Sequence, residues 1–167
     1  MLVKISDQDL ASAAKSGIDE FLELVISRTK QAIGGELDGK SFSLLNSSQI
    51  TLLGYDILQE ELMDGGFVQL IYNGYGPFVF DNPFARALRD WGLRDLYRLL
   101  EKAKKYYIRD KKAICRELSD EEFMALFEQM PEFDELDDEF VENEEDFTAE
   151  VARYVDNNLD KFVEVVE

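Results

Sequence analysis

The sequence predicts an all-α protein: a compact multi-helix single domain over residues 1–167, with short Gly/Pro-rich loops and one short extended segment. Three observations lead there. Apolar residues recur at helical spacing through most of the chain. Gly pairs and prolines punctuate the periodic stretches. Of the 167 residues, 46% are apolar and 12% aromatic, which supports a packed core despite a net charge of -18. No internal repeat or dividing linker interrupts the pattern.

The elements follow in order. Met1 to Leu10 carries Asp7 and Asp9 where a secretory leader would carry an apolar run, and nothing approaches the roughly 20 apolar residues of a membrane span. A cytoplasmic protein is expected. Ile18 to Ile33 places Ile18, Phe21, Leu22, Val25 and Ile26 on one helical face, and Gly34-Gly35 ends it. Asn46-Ser47-Ser48 offers N-caps for a helix with Leu52, Leu53, Ile57, Leu58 and Leu62 inward, closed by Asp64-Gly65-Gly66. Phe67 to Tyr72 reads as one or two further turns. Phe78-Val79-Phe80 is the extended piece, before Asn82-Pro83 opens a new helix. Trp91-Gly92 divides that helix from the next, in which Leu93, Leu96, Tyr97, Leu100, Ala103 and Tyr107 face inward. Arg94, Arg98, Lys102, Lys105 and Arg109 form a stripe on its other side. Ser119 and Glu122 make a capping-box pattern ahead of Phe123, Leu126, Phe127 and Met130. Pro131 starts a helix with Phe133, Leu136 and Phe140 inward, and a last helix runs from about Phe147 through Tyr154 to Leu159 and Phe162.

Charge is distributed unevenly. Residues 1–116 hold 16 basic and 16 acidic side chains, whereas residues 117–167 hold 2 and 20, so the net charge lies in that acidic helical part. From Glu117 to Ala152 there are 16 carboxylates and no base, just after a stretch, Ala85 to Arg116, with 11 bases and 4 acids. Internal pairing could absorb the basic stretch, but most of the carboxylates would stay uncompensated. Like charges one turn apart, such as Asp134 with Asp138 and Glu135 with Glu139, cost about 0.2–0.5 kcal/mol each on a helix. A surface serving solubility alone would intersperse lysines. Asp134, Glu135, Asp138, Glu139, Glu142, Glu144, Glu145 and Asp146 are therefore the candidate partner-binding residues.

Several chemistries are excluded or disfavoured. The chain has no histidine, which removes Ser-His-Asp and Cys-His catalysis, imidazole metal sites and the usual neutral-pH proton shuttle. One cysteine, Cys115, supports neither a disulfide framework nor a thiolate zinc site. Gly34, Gly39, Lys40 and Ser41 match the phosphate-loop pattern letter for letter. What precedes them is an amphipathic helix rather than a buried strand, and Glu36 and Asp38 would oppose phosphates. Asp134 to Asp146 lacks the central glycine and the spacing of a calcium loop. Gln69, Tyr72 and Asn73 read as satisfied core groups before pocket residues. No catalytic residue, metal site or cofactor is expected.

The run Asp64-Gly65-Gly66-Phe67-Val68-Gln69-Leu70-Ile71-Tyr72-Asn73 resembles the Asn-Gly-Gly-Phe-x-Gln signature, with its later Asn, of a family of small acidic bacterial DNA-mimic proteins. Trp91-Gly92, Phe133-x-x-Leu136-Asp137-Asp138-x-Phe140, and Tyr154 with Asn158 and Phe162 extend the resemblance over about Leu45 to Phe162. Asp64 stands where the family has Asn, a change expected to alter only a helix-capping contact. Asp64, Gly65, Gly66, Phe67, Gln69 and Asn73 read as architecture. The resemblance implies an all-helical homodimer whose carboxylates occupy the DNA-binding face of a transcriptional regulator or another basic DNA-binding protein. It implies no direct nucleic-acid binding, membrane association or small-molecule substrate. The 16 carboxylates lie along about 54 Å of helical contour, roughly one per 3.4 Å, close to the charge spacing along one DNA strand. An immunity-type or generic inhibitor of a basic protein, acting without mimicry, is the alternative.

Overall fold

Side chains that satisfy free backbone N–H groups set where the helices begin. In the computed structural model, which describes residues 2–167, Ser6 Oγ accepts the Asp9 N–H (3.0 Å) and opens α1 (Asp7–Ser16), after which α2 spans Ile18–Ile33. Gly34 ends α2 in the left-handed region at φ 86°, as its lack of a Cβ permits. Asn46 Oδ1 accepts the Gln49 N–H (2.8 Å) while Gln49 Oε1 accepts the Asn46 N–H (3.0 Å), a reciprocal cap for α3 (Ser47–Asp64). Then come α4 (Gly66–Tyr72), α5 (Gly76–Phe80), α6 (Phe84–Asp90), α7 (Arg94–Ile114), α8 (Asp120–Gln129) and α9 (Glu132–Asn157). The described residues are 77% helical, so the all-α expectation holds.

The chain divides into two compact units, the residues as far as Asp56 with Asp146–Glu167, and Ile57–Glu145. In the first, β1 (Val3–Ser6) and β2 (Val163–Val166) pair in parallel, with Val3 opposite Val163 and Ser6 opposite Val166. The caps of α3 reach this C-terminal segment too: Asn46 Nδ2 donates to the Lys161 carbonyl (2.8 Å) and Gln49 Nε2 to that of Phe162 (3.2 Å). Lys30 bridges α2 to Asp56 on α3 at 2.8 Å and to Glu36 at 3.2 Å. Phe21, Leu22, Val25 and Ile26 are buried, as the periodicity required. Ile18 is 50% exposed, because it is the first residue of α2 and sits at the rim of a shallow groove beside Ala149 and Ala152.

The second unit packs α4 to α8 and parts of α3 and α9 around an aromatic cluster. Phe67 lies 6.3 Å from Phe80 and 6.1 Å from Phe133, and Phe80 stacks on Tyr107 at 4.7 Å. Phe78-Val79-Phe80 is not extended; it is helical in α5, started by Pro77 in the first turn, where a proline's missing N–H costs nothing. The expected break between helices near Phe147 is also absent, and α9 runs without interruption for 26 residues, about 39 Å. Nothing between Glu139 and Thr148 is a glycine or proline, so the acidic run carries the helix through. Met1, where the leader argument starts, lies outside the described residues. Among them, no helix is long and apolar enough to cross a membrane, and no cluster of metal-ligating side chains forms.

The phosphate-loop match is explained from within. Asp38 Oδ1 accepts the N–H groups of Lys40 and Ser41 (2.9 Å each), and those bonds hold its carboxyl below the ordinary range. The donors that would cradle a phosphate are thus already engaged by a carboxylate. Titrating the protein with ATP should give no saturable binding, and Lys40→Ala should leave the titration unchanged. A micromolar isotherm abolished by that substitution would refute this account.

Candidate functional site

On α9 the inner stripe decides where every carboxylate points. Phe133, Leu136 and Phe140 are buried, and Phe133 also meets Tyr106 edge-on at 5.8 Å. With about 100° between successive residues, Asp134, Glu135, Asp138, Glu139, Glu142, Glu145 and Asp146 then fall within an arc of about 140° on the far side. All are exposed except the half-buried Glu139. None of the seven forms an ion pair among the described residues. They span about 18 Å of helix, roughly one charge per 3 Å. Within the arc they divide into an edge of Asp134, Asp138 and Glu145 and an edge of Glu135, Glu139 and Asp146, with Glu142 between.

Four other carboxylates of α9 are engaged with the protein, one of them Glu150, which pairs with Arg153 at 2.7 Å. Glu144, expected on the outer face, is half-buried and accepts Gln59 Nε2 at 2.6 Å, because its position turns it towards the inner stripe. Glu132 takes Arg109 at 3.1 Å, and the guanidinium holds the Glu132 carboxyl below its ordinary value. Asp137 turns inward, where its Oδ1 accepts the Phe67 N–H at 2.8 Å, in the first turn of α4.

That bond accounts for most of the Gly-Gly-Phe run. Gly66 adopts φ 81°, and a Cβ there would strike the Asp137 carboxylate, so a side chain is excluded twice over. A Cβ on Gly65 would meet the Gln69 side chain. Gln69 Nε2 donates to Glu61 (2.9 Å) and Asp64 (3.0 Å), and Asn73 Nδ2 also donates to Glu61 (3.0 Å). These amides tie α4 to the end of α3, and Asp64 acts as a Gln69 acceptor rather than a helix cap. The motif supports the acidic helix from beneath. Asp137 and Glu61 were not singled out by sequence reasoning. The available signal was an acid at position 137, on the same arc as Phe133, Leu136 and Phe140.

The basic stripe of α7 is mostly not spent on α9. Arg98 pairs with Asp95 on its own helix at 3.0 Å, and Arg109 with its neighbour Asp110 at 2.7 Å. Arg109 to Glu132 is the stripe's single ion pair to α9 among the described residues, while Arg116, just past α7, reaches Glu122 of α8 at 3.7 Å.

A family model described as DMP19-like protein matches residues 43–158. The DNA mimic protein DMP19 of Neisseria meningitidis serogroup B is 35% identical over 128 residues, which cover 75% of this chain and 77% of the relative.

Burial pushes the Asp137 carboxyl up from 3.8 to about 7, helped by the charges of Asp134 and Asp138 and opposed by the Phe67 bond. Unfolding returns it to its ordinary range, so its ionisation favours the unfolded chain by something on the order of 4 kcal/mol at alkaline pH. This contribution to stability is fully present below the unfolded value and is lost as pH rises through the folded one. Asp137→Asn keeps an oxygen for the Phe67 N–H and removes the titration. Unfolding in urea should show the variant close to wild type near pH 4.5 and more stable by a few kcal/mol near pH 8. A difference that does not change with pH would rule this out.

Proposed function

This chain belongs to the DMP19-like protein family, and from that premise we propose that it acts as a DNA mimic, its α9 carboxylates occupying the DNA-binding face of a transcriptional regulator or other basic protein. The observation that carries the reading is the row of seven acids on one face of α9 that form no ion pair among the described residues. Their charge density, roughly one per 3 Å, is close to the one per 3.4 Å of a DNA strand. DNA-binding faces are built to take up such a field, and long-range attraction steers the encounter.

In this reading the protein works by occupation rather than catalysis, in the cytoplasm and as a homodimer, and takes no cofactor. The alternative, a generic inhibitor of a basic protein, predicts no overlap with the DNA site.

Replacing Glu135, Asp138, Glu139 and Glu142 by Gln or Asn removes charge at nearly constant size and relieves about 1 kcal/mol of like-charge repulsion. The variant should be no less stable than wild type, but its affinity for a DNA-binding partner captured from cell extract should fall sharply. Duplex DNA should displace the wild-type protein in a competition titration, and the wild-type affinity should fall with added salt, which screens charges beyond about 8 Å at physiological ionic strength. A partner that binds this protein and duplex DNA together, each at undiminished affinity, would establish the generic inhibitor instead.

A further inference from the structure

Between α7 and α9 lies an open cleft of about 450 Å³ with charge of both signs on its lining. Lys102, Lys105 and Tyr106 come from α7, and Glu132, Glu135 and Glu139 from α9. We propose that this cleft receives a mixed-charge segment of the protein partner, a cationic side chain with a carboxylate beside it, and so gives the complex a specificity that DNA cannot reproduce. The inference rests on the DNA-mimic reading, since Glu135 and Glu139 belong to both the cleft and the acidic row.

Three observations support it. First, Lys102 and Lys105 are not counter-ions of the α9 acids. Neither forms an ion pair among the described residues, although Arg109 on the same helix reaches Glu132 at 3.1 Å. Two unpaired ammonium groups bordering the acidic row weaken its attraction for a basic surface, so they favour binding only where they meet carboxylates. Second, Glu135 and Glu139 lie one helical turn apart on the lining and form no ion pair among the described residues. An incoming guanidinium, with five N–H donors, can meet both carboxylates at once. Third, the cleft volume of about 450 Å³ lies within the range of pockets that hold compact ligands, and Leu136 supplies an apolar contact for an aliphatic stem.

A nucleic acid fits poorly here, because three glutamates share the cleft with the two lysines. A purely cationic segment meets the lysines, and a purely anionic one the glutamates. A segment carrying arginine or lysine next to Asp or Glu meets neither obstacle. Carboxylates beside a regulator's basic face would repel DNA and be attracted here.

The test inverts the sign expected from net charge. Two alanine-based helical peptides of equal length serve as probes, one bearing arginines alone and the other arginines each followed one helical turn later by a glutamate. Both are titrated into the full-length protein at physiological salt. Lys102→Glu/Lys105→Glu makes the protein more acidic, so it should bind the all-arginine peptide more tightly. The same variant should bind the mixed peptide several-fold more weakly than wild type does, and wild type should show resonance shifts at Tyr106 and Leu136 on adding the mixed peptide. Lys102→Gln/Lys105→Gln should show a smaller loss in the same direction and serves if the reversal disturbs folding. Tighter or unchanged binding of the mixed peptide by either variant, or no binding of it to wild type, overturns the proposal. Failure of the mimic reading shows separately, as a DNA-binding partner that duplex DNA does not displace.

Discussion

The bond from the Phe67 N–H to Asp137 is the constraint on which the acidic surface depends. It fixes both the position of α9 along its axis and its rotation, because the carboxylate must meet one backbone N–H at 2.8 Å while Phe133 packs between Phe67 and Tyr106. Once that phase is set, helical geometry leaves no freedom in the direction of Glu135, Asp138, Glu139 or Glu142. A helix that could rotate by one residue would carry its charges through about 100° and lose the row. The glycines before Phe67 are part of the same device: only a residue without Cβ, at φ 81°, lets the backbone close over the carboxylate.

This anchor is costly in isolation. Drawing a carboxyl out of water and raising it to about 7 opposes folding at neutral pH, and like charges along α9 add a few tenths of a kcal/mol per adjacent pair. The inner stripe offsets the cost. Phe133, Leu136, Phe140, Phe147, Val151 and Val155 are all buried on this one helix, each stabilising by about 1.5–3 kcal/mol relative to exposure. The balance shows why the acidic C-terminal third keeps an apolar stripe along the inner face of its long helix.

Much of this was legible in the sequence because it is local. The caps at Asn46 and Ser119 form with their partners three residues on, and the stripe of Phe133, Leu136 and Phe140 follows from spacing alone. What escaped depends on distant partners or on subtle local choices. Val3–Ser6 and Val163–Val166 are short and become strands only by pairing with each other across nearly the whole chain. Phe78 to Phe80 carries bulky residues suited to strands, yet the proline at the start of α5 and the aromatic cluster beneath it make it helical. Asp137 was not singled out although its angle on the helix lies near the inner face, because no local pattern names its donor: Phe67 lies 70 residues away in sequence. Glu144 was assigned outward by its membership of an acidic run, whereas its angle on the helix, and Gln59, direct it inward.

The same separation clarifies what the family signature does. A run as specific as Gly-Gly-Phe-x-Gln invites reading as a binding site, yet its side chains close on their own neighbours: Gln69 and Asn73 on Glu61, Gly66 around Asp137. The signature secures a scaffold, and the scaffold aims charges that carry no motif at all. Carboxylates on an exposed arc can change in number and spacing without removing the Phe67–Asp137 bond, although Asp134 and Asp138 act on the Asp137 carboxyl through their charge. In the proposed function, the motif holds the anionic helix in place, and the choice of partner falls to the outer arc and to cations such as Lys102 and Lys105 at its border.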